Sequence, residues 1–350
     1  MAETRKSVED VKNLPVGEKF SSVGVVLDIH EKKDKNGKSY WTVSLMDKTG
    51  SMDAKIWGNT QWWDFREGVK SEIKDPASST LVGNLKGSSI GVMGQVSEFR
   101  GKNQYNFNQV FLVDQEKEEY RPESFVQTSP VDVKELERRF DLLVDRCSGD
   151  VRSFMEELFS KDGDLWKKFR VMPAAVSHHH AYVHGLLEHS VTVTELALSM
   201  AEAIEGQARP DRSLVVAGGL LHDLGKLEAY VLNPGPGMTV EGTVIDHIAL
   251  GYSRFEALAE RYGLDRTVRT ALGHILLSHH GLREYGSPVL PATPEALVVS
   301  AADELDFKLF CWGDSVSQLE GGVEPEDSIS DLNYSAQRRF WKWRPDGERS

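Results

Sequence analysis

The hydrophobic pattern of this 350-residue chain changes period once, and that change dictates its architecture. From about residue 20 to 113, short runs rich in β-branched and aromatic side chains alternate apolar with polar, as strands require. Beyond about residue 133, apolar residues recur every three or four positions, as helices require. A strand half followed by a helical half predicts two domains, and the chain is long enough for each to bury a core.

The first half reads as five strands, at 20–29, 39–46, 51–57, 89–99 and 104–113. Turn formers separate them, among them Lys35-Asn36-Gly37, Asp47-Lys48-Thr49-Gly50 and Arg100-Gly101-Lys102-Asn103. With an insertion at 59–86 that opens on Gln61-Trp62-Trp63, they fit a five-stranded OB-fold β-barrel over 15–115. Residues 116–133 are charged, contain Pro122 and Pro130, and read as a linker. An all-α domain follows over 134–312, with helices expected at 133–146, 151–159, 181–203, 214–227, 248–262, 267–278 and 292–309. Residues 313–350 read as a polar tail that carries the basic and aromatic run Arg338-Arg339-Phe340-Trp341-Lys342-Trp343-Arg344.

Charge argues both ways about partners. The net charge of -13 is unlike the basic footprint of most nucleic-acid binders. It is unevenly spread: residues 1–120 hold 17 Lys+Arg against 18 Asp+Glu, so the acidity lies in the helical half. Two cysteines without a CxxC partner make a disulfide framework improbable and point to a reducing cytoplasm. The polar start lacks a signal-peptide core, and apolar runs such as 214–221 are too short for a membrane span.

Ten of the eleven histidines lie between His178 and His280, which places the chemistry in the helical domain. The core signal is His189, the dipeptide His222-Asp223, and Asp303, each on or at the end of an expected helix. Imidazole with carboxylate suits a divalent transition metal better than Ca²⁺. A lone His-Asp pair is usually a cap or a surface pair, but four ligand types on separate helices are hard to dismiss. His247, His279 and His280 then read as ligands of a second ion, with Asp223 placed to serve both. Two such ions activate water and stabilise both oxygens of an in-line phosphoryl displacement. Lys226, three residues after Asp223 on the same helical face, is placed to meet a substrate phosphate, and Gly225 between them allows close backbone approach. His178, His184 and His274 have good structural explanations and are left out of the site.

The segments GLLEHS at 185–190, LLHDLGK at 220–226 and AADELD at 301–306 resemble the HD-domain superfamily of metal-dependent phosphohydrolases. More narrowly, HHHAYVHGLLEHS at 178–190, LSHHGLREYGSPVLPATPEA at 277–296 and DELDFK at 303–308 are similar to the YhaM-type 3′→5′ exoribonucleases. Those enzymes join an OB-fold to an HD domain, and KNGKSYWTVSLMDKTGSMDAKIW at 35–57 carries the likeness in the first half. The resemblance implies that His189, His222, Asp223 and Asp303 bind one ion and that His247 and His279 complete a second. It makes His280 a further ligand or a substrate contact, and it places His179 and His180 along the active site. Two positions depart from the pattern: His184 and Asp246 stand where the family usually has glycine.

Strand alternation puts Trp41, Val43 and Leu45 in the barrel core and Tyr40, Thr42 and Ser44 outside. By the same reasoning Tyr105, Phe107 and Phe111 share one face. Unstacked bases favour aromatic platforms, so Tyr40, Trp57, Tyr105 and Phe107 are the candidate base contacts, with Lys38 and Lys55 for phosphates. The competing reading, that aromatics in a small barrel are core, is strong.

The residues by themselves predict metal-dependent hydrolysis of a phosphodiester or phosphomonoester. The resemblance implies a 3′→5′ exoribonuclease that acts on single-stranded RNA, with single-stranded DNA as a second expected substrate, and releases nucleoside 5′-monophosphates. Two divalent ions are expected, Mn²⁺ first, with Fe²⁺, Mg²⁺ and Zn²⁺ as alternatives. Asp223 and Lys226 are the expected catalytic residues; a homo-oligomer is allowed by the sequence but not read from it. Two rivals remain open at this stage: a hydrolase of free or cyclic nucleotides, and a non-catalytic single-strand-binding protein with a structural metal.

Overall fold

The computed structural model describes residues 5–74, 76, 81–99, 101–176, 180–233, 235–317, 319 and 328–342. The chain separates into two compact units, residues 1–128 with 232–235, and residues 129–231 with 236–350. The division falls inside the segment read as a linker.

The first unit has strands β1 (Lys19–Lys33), β2 (Ser39–Asp47), β3 (Gly50–Asp64), β4 (Ser71–Glu72), β5 (Ser89–Phe99) and β6 (Lys102–Leu112). The sheet runs β2-β1-β5-β6-β3-β4, and a further β2–β3 pairing closes five of these strands into a ring. β3 and β6 pair in parallel while the other ring neighbours are antiparallel. The alternation that predicted these strands is what fills the ring: Trp41, Val43, Leu45, Met52, Ala54 and Ile56 all point into its core. Helix α1 (Val8–Lys12) packs Val8 and Val11 into the same core, its start fixed by a capping box between Ser7 and Asp10.

Two expectations in this unit are corrected. Gln61-Trp62-Trp63 does not open an insertion; it is still β3, paired to β6, and Trp62 is buried in the core. Phe107 is not a surface platform. It is fully buried, with its ring edge-on to Phe20 at 6.2 Å. Nor do Phe107 and Phe111 share a face, because the β5–β6 register slips between Met93 and Gly94, and Asn108 stands unpaired. That one-residue bulge reverses the alternation, so Val110 and Leu112 point inward after it and Phe111 turns out toward Phe65. Tyr105, ahead of the bulge, packs its ring against the core and donates its hydroxyl to the Lys12 carbonyl at 3.3 Å.

In the second unit, α2 (Val133–Val144), α3 (Gly149–Leu158) and α4 (Asp164–Phe169) precede α5 (Gly185–Ala203), which is buried on nearly every side. Then follow α6 (Glu205–Ala208), α7 (Arg212–Leu221), α8 (Lys226–Ala229), α9 (Val240–Val244), α10 (His247–Tyr262), α11 (Arg266–Ser278) and α12 (Pro294–Ser317). Asp132, Asp211 and Asp265 start α2, α7 and α11 by accepting the first free backbone N–H groups. The helix expected over 214–227 is interrupted: α7 stops at Leu221, and His222 to Gly225 form a turn before α8. α12 continues to Ser317, past the expected end.

The described part of the polar tail is folded. Residues 328–342 form a hairpin bridged at Ile329–Trp341 and Asn333–Arg338, tied to α12 by Trp312 donating to the Trp341 carbonyl and Asn333 donating to Ser315. Trp343 and Arg344 lie outside the described residues. Both cysteines are free and buried, and among the described residues no helix is long and apolar enough to cross a membrane.

Candidate metal centre and nucleic-acid platform

Helix ends, rather than helix faces, deliver most of the expected ligands to one place. His189 lies within α5 and is wholly buried, His222 and Asp223 occupy the turn after α7, and His247 begins α10. His279 and His280 follow α11, and Asp303 comes from α12. Gly225 makes the approach of α10 feasible, since a Cβ there would sit 1.9 Å from the His247 carbonyl oxygen. No side chain larger than hydrogen fits.

Asp223 is the centre of the arrangement. Its Oδ2 lies 3.2 Å from Nε2 of both His189 and His222, and Asp303 Oδ1 is 3.2 Å from the same His189 nitrogen. Its Oδ1 faces the other way, 3.5 Å from His247 Nε2 and 3.8 Å from His279 Nε2. The carboxylate thus stands between two sets of imidazoles. His280 joins the second set, its ring centroid 4.4 Å from that of His279. Lys226 Nζ meets Asp223 Oδ2 at 2.6 Å across the turn.

The donor chemistry fits divalent ions. Asp223 Oδ1, His247 Nε2 and His279 Nε2 are buried without a hydrogen-bond partner, an arrangement that costs about 1–3 kcal/mol per group unless something else binds there. Nδ1 of His222 and of His279 each donates to a backbone carbonyl, of Gly219 and Leu276, at 2.7 Å. A carbonyl can only accept, so each Nδ1 carries the proton and each Nε2 lone pair faces inward. His280 Nδ1 is held in the same way by the Tyr285 carbonyl at 2.7 Å. Burial, with His280 and His222 close by, pushes the pKa of His279 well below its ordinary value and keeps it neutral. Burial also opposes charge on His189, yet Asp223, Asp303 and Asp306 outweigh it and hold its pKa well up. That corner therefore attracts cations strongly. Asp223 stays ionised: burial works against it, but Lys226 and His222 hold its pKa well below the carboxylate range.

Behind His189 lies a layer that the sequence did not reveal. Asp306 Oδ2 accepts from His189 Nδ1 at 2.8 Å and lies 3.1 Å from His180 Nε2. His180 Nδ1 is 2.7 Å from the Tyr182 hydroxyl, which donates to Glu188 at 2.9 Å. His180 is 5% exposed, has both ring nitrogens engaged, and shares Asp306 Oδ2 with His189. The available signal for Asp306 was its spacing, three residues after Asp303 on one helix. His178 and His179 lie outside the described residues.

The remaining histidines have local duties. His274 Nε2 accepts the Ala292 N–H at 2.9 Å, and His184 Nδ1 donates to the Arg170 carbonyl at 2.5 Å. His184 and Asp246 both have positive φ, 69° and 76°. This explains the glycine usual at both positions in the family it resembles, because glycine meets no steric penalty there.

On the strand ring, Tyr40 and Trp57 stack at 4.8 Å on the outer face, and Trp57 Nε1 donates to Asn106 at 2.8 Å. The Lys55 ammonium lies 5.3 Å from the Trp57 ring centre and 5.7 Å from that of Tyr40. Beside them is a groove of about 470 Å³ lined in part by His30, Lys32, Lys55, Phe99 and Lys102. Aromatic faces next to ammonium groups are what a single strand needs for stacking and phosphate contact.

A His-Asp turn amid further histidines on converging helices defines the HD class of metal-dependent phosphohydrolases, and the HD domain family model matches residues 186–308. The 3′-5′ exoribonuclease YhaM of Bacillus pumilus (strain SAFR-032) is 30% identical over 292 residues, covering 83% of this chain and 85% of that protein. YhaM of Geobacillus sp. (strain WCH70) is 28% identical over 328 residues, 93% of each, and that of Bacillus subtilis (strain 168) is 29% identical over 83% and 85%. The chain belongs to the YhaM family of 3′-5′ exoribonucleases.

Proposed function

We propose that this chain is a metal-dependent 3′→5′ exoribonuclease that holds two divalent ions on either side of Asp223. It acts on single-stranded RNA, with single-stranded DNA as a second substrate, and releases nucleoside 5′-monophosphates. The observation that carries this reading is the Asp223 carboxylate, whose two oxygens face two separate groups of imidazole nitrogens. His189, His222, Asp223 and Asp303 would hold one ion. Asp223, His247 and His279, with His280 beside them, would hold the other. Mixed imidazole and carboxylate donors suit a divalent transition ion, and Mn²⁺ is the ion proposed, with Fe²⁺, Mg²⁺ and Zn²⁺ as the alternatives. Divalent ions bound there lower the pKa of water and offset charge on the phosphoryl oxygens.

The chain's own groups do the rest. Backbone carbonyls fix the tautomers of His222, His279 and His280, and Asp306 fixes that of His189. Lys226, buried against Asp223, keeps that carboxylate ionised and presents an ammonium to a phosphate oxygen. Incubating 3′- and 5′-labelled RNA and DNA strands with Mn²⁺, Mg²⁺ or EDTA tests the reading. Shortening from the 3′ end, abolished by EDTA, is expected. Intact strands alongside cleaved mononucleotides would favour the small-nucleotide hydrolase.

The outer aromatic pair gives a separate test. Trp57→Ala is expected to raise KM for RNA roughly 5- to 150-fold, the equivalent of ~1–3 kcal/mol for one lost stack. Hydrolysis of bis-p-nitrophenyl phosphate should not change. Phe107→Ala should instead lower stability by ~3–5 kcal/mol in a denaturant melt, because it empties core volume. An unchanged RNA KM in Trp57→Ala would remove the stack from the binding surface.

A further inference from the structure

We infer that Asp246 is a positioning residue for the second ion: its carboxylate fixes the ring of His247 as Asp306 fixes that of His189. The inference rests on the two-ion reading above. Asp246 Oδ1 lies 3.0 Å from His247 Nδ1 and accepts the Ile248 N–H at 3.0 Å. An ionised carboxylate only accepts, so Nδ1 carries the proton and the Nε2 lone pair is left facing Asp223 Oδ1. The carboxylate also makes the ring a stronger donor to a cation, the usual effect of a carboxylate behind a metal-binding imidazole.

Backbone conformation singles this residue out. Asp246 adopts φ 76° and ψ 150°, a region that is nearly glycine's alone. Capping α10 does not require such strain, since Asp132, Asp211 and Asp265 cap their helices at ordinary negative φ. A side chain on unfavourable backbone, in the residue immediately before a site histidine, calls for a role that glycine cannot fill. The symmetry of the site supplies one. His222, His279 and His280 have their Nδ1 groups held by neutral carbonyls, whereas His189 and His247 each face a carboxylate, one in each half of the centre.

Full-length wild type, Asp246→Gly and Asp246→Asn separate this role from helix capping. Glycine suits the backbone and caps almost as well as aspartate, so Asp246→Gly should melt no lower than wild type. Asparagine keeps an oxygen for His247 Nδ1 but loses the charge. Stepwise Mn²⁺ dissociation constants are read by calorimetry on metal-stripped protein, and the His247 tautomer by ring ¹⁵N shifts. In Asp246→Gly, binding of the second Mn²⁺ should weaken about 10- to 100-fold with the first unchanged, and the Nδ1–H tautomer should no longer dominate. Asp246→Asn should fall between the two, with the tautomer kept. Wild-type affinity for both ions in Asp246→Gly would overturn the inference, as would equal loss of both. A single ion in wild type would overturn the two-ion reading itself, and this proposal with it.

Discussion

Asp223→Ala is expected to leave single-stranded RNA bound but uncut. The carboxylate lies between His189 and His222 on one side and His247 and His279 on the other, so its loss removes a ligand from both groups at once. Divalent ions supply several kcal/mol of transition-state stabilisation in such sites, so kcat should fall by at least about 10³-fold. Binding should hold, because Tyr40, Trp57 and Lys55 belong to the other unit. Folding needs a control. Lys226 is 5% exposed and pairs with Asp223, and stripping a buried charge of its partner costs about 3–5 kcal/mol. Asp223→Asn keeps the volume, and Asp223→Ala with Lys226→Met removes the orphaned ammonium; both should fold and both should be inactive. Near-wild-type turnover in a folded variant with metal supplied would exclude Asp223 from the reaction.

How far the sequence carried depended on the range of the interaction concerned. Alternation is local, so the inward set Trp41, Val43, Leu45 and its partners Met52, Ala54 and Ile56 could be read directly. It failed where one residue changes the count: nothing near Asn108 announces the bulge that sends Phe107 inward and Phe111 outward. Periodicity likewise ran straight through His222 to Gly225, because a tight turn between two short helices keeps the three-residue spacing that brings Lys226 back to Asp223. The residues that converge were legible because the histidines are concentrated between His178 and His280 and lie with acidic residues on or at the ends of expected helices. Their supporting partners were not. His180 is 126 residues from Asp306 along the chain, and only folding brings them into contact. Asp246 was visible as a departure from glycine, but its meaning required the backbone angles.

His279→Ala is expected to separate the two halves of the centre. His279 Nε2 is buried, lacks a hydrogen-bond partner and lies 3.8 Å from Asp223 Oδ1, on the side away from His189. The group formed by His189, His222, Asp223 and Asp303 stays intact in the variant, so an ion proposed to bind there should remain. The opposite group loses one of its imidazoles and keeps His247, His280 and the shared carboxylate, so an ion there should bind more weakly. Metal content should drop from about two ions toward about one per chain, and kcat by roughly 10²–10³-fold, because a second ion would share in stabilising charge on the attacking and leaving oxygens. The variant also frees the Leu276 carbonyl that His279 Nδ1 now occupies at 2.7 Å, so a thermal melt must accompany the assay. Raising Mn²⁺ should restore part of the activity if the loss is one of affinity, whereas a misfolded variant will not respond. Elemental analysis decides between the possibilities: one ion in both proteins, with activity retained in the variant, would leave a mononuclear centre and reduce His279 to a neighbour of the substrate.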